Sequence, residues 1–188
     1  MGMKPKQARP FQSIQWLPAE RLGQLAVDPS VRPWLIGNGL LSARLKSACK
    51  ERFDLRLVDQ WSGLLTASQK LGLRSADDAG LFSETEMTCA GQVWVFAQVV
   101  TPDATLCRHP WIAELGDAPL DETLEGLSGM ERGAHEYAWL PADDTLLARA
   151  LLAADLKPKG LWARRVRVTL RGAPLLMQEV FLPAMGRL

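Results

Sequence analysis

The stretch that most constrains the fold lies near the C-terminus. Gly160-Leu161-Trp162-Ala163-Arg164-Arg165 leads into Val166-Arg167-Val168-Thr169-Leu170. Arg171-Gly172-Ala173-Pro174 follows, and then Leu175-Leu176-Met177-Gln178-Glu179-Val180-Phe181-Leu182-Pro183-Ala184. Residues of high strand preference flank a tight turn, and the glycine after Arg171 supplies the backbone freedom that a short hairpin needs. Counting in twos along the second strand puts Met177, Glu179 and Phe181 on one face and Leu176, Gln178, Val180 and Leu182 on the other. Glu179 therefore has no polar face to retreat to. A carboxylate among apolar side chains either rises in pKa or finds a cation or hydrogen-bond donor that keeps it ionised. It is a candidate site residue, and the competing structural reading is an ion pair with Arg164, Arg165 or Arg167 of the preceding strand.

A length of 188 residues with 47% hydrophobic content supports one domain with a substantial core. Twenty-two basic residues against 21 acidic ones leave a formal charge of +1. That balance gives no broad electrostatic footprint for nucleic acid or an anionic membrane. The first residues, 1–12, are basic and polar, and no apolar segment of signal-peptide or membrane-spanning length follows them. They are expected to form a disordered tail on a domain over residues 13–188, in a cytoplasmic protein.

Cys49, Cys89 and Cys107 are odd in number and far apart, with only His109 and His135 to accompany them. The pattern predicts reduced thiols and no zinc site, because tetrahedral zinc needs about four converging ligands of these types. Cys107-Arg108-His109 is a weak candidate for a nucleophile and its base. Neighbours on a turn rarely share a side, and no acid stands by to orient the histidine.

Along the chain, Pro18 opens a short helix through Ala26, and a second helix is expected over residues 40–50 with Leu41 and Leu45 on one face. The period then changes to two. Phe53, Leu55, Leu57 and Trp61 alternate with Asp54, Arg56 and Val58, which predicts a strand with one buried side. Two more strands flank Ala90-Gly91, over residues 81–89 and 92–101. In the first, Ser83 shares a face with Leu81, Thr85, Met87 and Cys89, while Glu84 and Glu86 are expected to face water. A loop rich in turn residues, a short helix over 119–127, a strand over 136–140 and a helix from Asp143 or Asp144 to Asp155 precede the terminal hairpin. Consecutive strands joined by tight turns predict an α+β domain: one antiparallel sheet with helices gathered on one side.

At the hairpin the sequence resembles the bacterial chorismate pyruvate-lyase family. That family ends in Gly-Leu-Trp-Gly/Ala-Arg-Arg-Ser, a strand, a Gly-x-Pro turn and Leu-Leu-x-x-Glu-x-Phe-Leu-Pro-Ala. Further similar segments lie upstream in the same order: Trp34-Leu35, Leu40-Leu41-Ser42-Ala43-Arg44-Leu45, Gly91-Gln92-Val93-Trp94 with Ala97, and Leu115-Gly116-Asp117-Ala118-Pro119-Leu120. The resemblance implies a monomer with helical flaps closed over a buried ligand cavity. It implies removal of pyruvate from chorismate to leave 4-hydroxybenzoate for ubiquinone biosynthesis, with neither metal nor cofactor. Carried over by position, it gives Glu179 a hydrogen bond to the ring hydroxyl and a part in proton removal, and it makes Leu41 and Leu120 the hydrophobic wall and backbone contacts.

One expected residue is missing. The family's carboxylate-binding arginine falls on Ser83 when counted back from Trp94 without a gap, and shifting by a residue or two still finds no arginine. A serine gives one neutral hydrogen bond where a guanidinium gives a bidentate, charge-assisted clamp. Asp121 stands where the family usually has glycine, and Val166 where it usually has serine. Arg164, on the Trp162, Val166 and Val168 face, is a candidate replacement cation, against the plainer readings of an edge arginine in solvent or a partner of Glu179. Two functions follow from the sequence: a lyase weakened by the missing arginine, or a non-catalytic binder of 4-hydroxybenzoate or a similar aromatic acid on the same scaffold.

Overall fold

A computed structural model describes residues 14–152 and 156–187. The tail expected over residues 1–12 and the last turn of the helix expected to reach Asp155 lie outside the described residues. Seven strands form one antiparallel sheet: β1 (Leu17–Pro18), β2 (Phe53–Leu64), β3 (Ala79–Cys89), β4 (Gln92–Pro102), β5 (Met130–Pro141), β6 (Gly160–Leu170) and β7 (Ala173–Phe181). Their spatial order is β1-β5-β6-β7-β4-β3-β2. The terminal hairpin thus pairs on both flanks and forms the centre of the sheet. Its turn places Arg171 at φ 50° and Gly172 at φ 79°, the twist that a two-residue hairpin loop requires.

The helices are α1 (Ala19–Leu22), α2 (Arg32–Ile36), α3 (Leu41–Ala48), α4 (Ala67–Leu73), α5 (Asp103–Arg108), α6 (Leu120–Glu125) and α7 (Thr145–Ala150). They do not gather on one side. Leu22, Leu35, Leu41 and Leu45 pack on Met87, Val95, Ala97 and Phe181. On the opposite face Leu146, Leu147 and Ala150 of α7 pack on Phe96, Ala163 and Val180. There too Leu73 of α4 meets Phe82, Val100 and Leu176. A central sheet with apolar residues on both faces has to be covered twice. None of the described helices is long and apolar enough to cross a membrane.

This second layer corrects the expectation for Glu84 and Glu86, which are 1% and 5% exposed. Alternation assigned them to the correct face, but α7 reaches over Glu84 there, and Arg56 of β2 pairs with Glu86 at 3.1 Å. Arg149 of α7 donates from Nε to both Glu84 oxygens at 3.1 and 2.9 Å, and the Gln98 amide adds a bond at 2.8 Å. The phase of β2 also changes within the strand. Its pairing with β3 shifts between Leu57 and Asp59, so the extra residue reverses the alternation. Leu55 and Leu57 stay on the α3 side, whereas Trp61 stacks on Phe82 across the sheet, with ring centroids 5.2 Å apart.

The thiol expectation is corrected as well. Cys49 and Cys89 form a disulfide across a Cα–Cα distance of 5.8 Å, and Cys107 alone is a free, exposed thiol. The end of α3 meets the end of β3 there, a proximity that a sequence separation of 40 conceals.

Candidate functional site

On the α3 side of the sheet, an apolar cavity lies between the strands and a cover made of a 3₁₀ turn (Pro110–Glu114), residues 115–119 and α6. Its volume is about 50 Å³ to a water-sized sphere. Leu55, Leu57, Met87, Ala97, Val99 and Met177 form the floor, and Ile112, Leu115, Pro119 and Leu120 the cover. Polar groups enter from Gln60, Ser83, Thr85, Asp121 and Glu179. The cover is pinned at two points: Asp117 accepts the Leu57 N–H at 2.7 Å, and Asp121 accepts from Ser42.

The register of the sheet places these groups. Thr85 pairs with Ala97 and Ala97 with Glu179, so one row of residues crosses three strands. Adjacent strands lie about 4.8 Å apart, which puts the Thr85 backbone roughly 10 Å from that of Glu179. Ser83 sits one step further along the same face and accepts a hydrogen bond from the Gln60 amide at 3.0 Å.

Glu179 is 5% exposed and paired across the hairpin with Arg164. Arg164 Nε donates to Glu179 Oε2, and its Nη1 donates to the carbonyls of Trp34 and Leu35, each at 3.2 Å. The end of α2 therefore fixes the guanidinium, and the guanidinium fixes the carboxylate. Arg164, 2% exposed, stands behind Glu179 and is not among the residues lining the cavity. Of the three possible ion-pair partners it is the one the register selects. Arg165 points to the opposite face, bonded to Glu136 at 2.7 Å, and burial lowers its pKa. Beyond Arg164, burial raises the pKa of Tyr137. Burial also pushes His135 down to about 4, with Arg164 and Arg132 adding to the shift.

Of the residues marked by sequence, Ser83, Leu120 and Glu179 come together on the cavity wall. Leu41 is buried in the adjoining cluster, at the start of α3 beside Ser42. Gln60 and Thr85 were not anticipated. Gln60 was hidden by the shift in β2, while Thr85 was visible on the Ser83 face but carried no charge to mark it. Among the described residues, no lysine, arginine or histidine lines the cavity.

Comparison with known proteins agrees with this architecture. The family model "Chorismate lyase" matches residues 11–186. A "Probable chorismate pyruvate-lyase" of Azoarcus sp. (strain BH72) is 35% identical over 162 residues, spanning 82% of this chain and 84% of the relative. One from Pseudomonas aeruginosa (strain UCBPP-PA14) is 32% identical over 173 residues, 90% of this chain and 92% of its own. Among solved structures, the effector domain of PhnF from Mycobacterium smegmatis superposes with a TM-score of 0.55 at 15% identity, over 79% of this chain and 91% of that domain. At that identity the likeness concerns the fold alone. With nearly its whole length matched, the chain belongs to the chorismate lyase family.

Proposed function

We propose that this protein is a chorismate pyruvate-lyase acting, as a monomer in the cytoplasm, to supply 4-hydroxybenzoate for ubiquinone biosynthesis. The observation that carries the reading is Glu179, buried in the wall of a largely aliphatic cavity and held there by Arg164. In the reaction, the ring C–O bond to the enolpyruvyl group breaks and its electron pair leaves with the side-chain oxygen. A proton departs from the neighbouring hydroxyl-bearing carbon, which makes the ring aromatic, and the released enol becomes pyruvate. Glu179 orients the hydroxyl and assists that proton loss, and Leu120 with the sheet aliphatics holds the ring flat and dry. The residues here need no cofactor for that step. In a reducing cytoplasm the Cys49–Cys89 bridge would be opened to two thiols, so the bridged chain is the oxidised form of the protein.

The second reading, a non-catalytic holder of a small aromatic, is favoured by one observation: Ser83 and Gln60 offer only neutral hydrogen bonds where an arginine was expected. Purified protein with chorismate, followed by ultraviolet absorbance for 4-hydroxybenzoate and by a coupled assay for pyruvate, separates the two. Equal release of both products supports the lyase. Binding of 4-hydroxybenzoate without turnover supports the holder.

A further inference from the structure

Asp121 is 4% exposed and lines the cavity, yet no cation pairs with it among the described residues. Its oxygens accept from Ser42, the backbone N–H at 3.2 Å and the hydroxyl at 2.9 Å to each oxygen, and from the Glu122 backbone N–H at 3.0 Å, all of them neutral donors. The same hydroxyl lies 2.8 Å from Glu122 Oε1, and a serine has one proton to give, so it serves one acid at a time. Glu179, by contrast, is balanced by Arg164. The cavity's formal charge therefore comes from Asp121, and the Ser42 and Glu122 donors beside it are already in use.

We infer that Asp121 sets the charge preference of this cavity, so that a small phenol carrying an uncharged substituent opposite its hydroxyl is accepted more readily than the corresponding carboxylate. The inference rests on the reading of this cavity as the ligand site and deepens it. With the hydroxyl at Glu179, the opposite substituent points across β4 toward Thr85 and Ser83, inside the cavity that Asp121 also lines. A carboxylate there meets a second carboxylate in a water-poor space and finds no guanidinium. An amide of the same shape meets Asp121 as a hydrogen-bond donor. Chorismate and its product then enter against this repulsion, which makes Asp121 a brake on the family's chemistry.

The test is calorimetric titration of the purified full chain with 4-hydroxybenzoate and with 4-hydroxybenzamide. Wild type is expected to bind the amide about tenfold more tightly or better, the worth of one or two hydrogen bonds to a charged group. Asp121→Asn should strengthen 4-hydroxybenzoate by a similar factor and bring the two ligands within about threefold. Asp121→Ser serves as the second variant if the first fails to fold, and the wild-type preference stands as a result by itself. Tighter binding of the carboxylate by wild type, or an unchanged ratio in folded variants, overturns the inference even if chorismate is turned over. The expected ratios without turnover uphold it and sink the lyase reading. Binding of neither ligand by any form sinks both.

Discussion

Arg164 and Glu179 face each other at one position of the β6–β7 ladder, both buried, and the guanidinium is held from behind by the carbonyls of Trp34 and Leu35. A carboxylate so placed keeps one orientation toward the cavity while its charge is balanced on the side away from a ligand.

Replacing Glu179 should therefore have two separable effects. Glu179→Gln keeps the volume but removes the proton acceptor, and turnover of chorismate should fall by about a hundredfold or more, read from initial rates of 4-hydroxybenzoate formation. Glu179→Ala should in addition leave Arg164 buried without its anion and cost about 3 kcal/mol or more, read from denaturant unfolding. A Glu179→Gln protein with wild-type rates would remove the residue from the chemistry.

Ser83→Arg restores a cation to the cavity wall. Charge-assisted hydrogen bonds are worth about 1.5–3 kcal/mol each, so affinity for 4-hydroxybenzoate should rise about tenfold or more in titrations at moderate salt. The gain should be largest in combination with Asp121→Asn, since one change adds a cation to the cavity and the other removes an anion from it.

Stability should depend on pH through His135. Its folded pKa of about 4 lies below the ordinary 6.5, so between those values the unfolded chain binds more protons than the folded one. Stability is then fully present above pH 6.5 and is lost as pH falls toward 4. Melting temperatures taken in steps from pH 7 to pH 4.5 should decline, and His135→Gln should flatten that decline.

The Cys49–Cys89 bridge closes a separation of 40 residues, and its removal should cost about 2–4 kcal/mol through the freedom it returns to the unfolded chain. Cys89→Ser, or wild type in strong reductant, should melt at a lower temperature than the oxidised protein. Cys107→Ser should melt like wild type, because that thiol is exposed and unbridged.

Much of this molecule was legible in the residues. The terminal hairpin, its turn at Arg171-Gly172, and the inward face carrying Met177, Glu179 and Phe181 followed from strand preference and a period of two. What escaped were contacts made by elements distant in the chain. Nothing near Glu84 announces that Arg149 arrives from α7, 65 residues on, to bury it. Helix α4 did leave a local mark: Thr66 and Gln69 form a reciprocal capping box, a three-residue spacing open to reading in advance. The strand over 136–140 was seen too short, since β5 begins at Met130, where Gly133 and a register shift between Arg132 and His135 blur the alternation. Asp121 was visible as an added acid, but its hold on Ser42, 79 residues away, was not.

The foot of the cavity cover rests on the rim of the sheet. β2 is the outermost strand on its side, and the Asp117 carboxylate occupies the Leu57 amide there. Lifting the cover to admit a ring would release that amide. That would add one free donor to an edge strand, the kind of margin to which a further strand can pair.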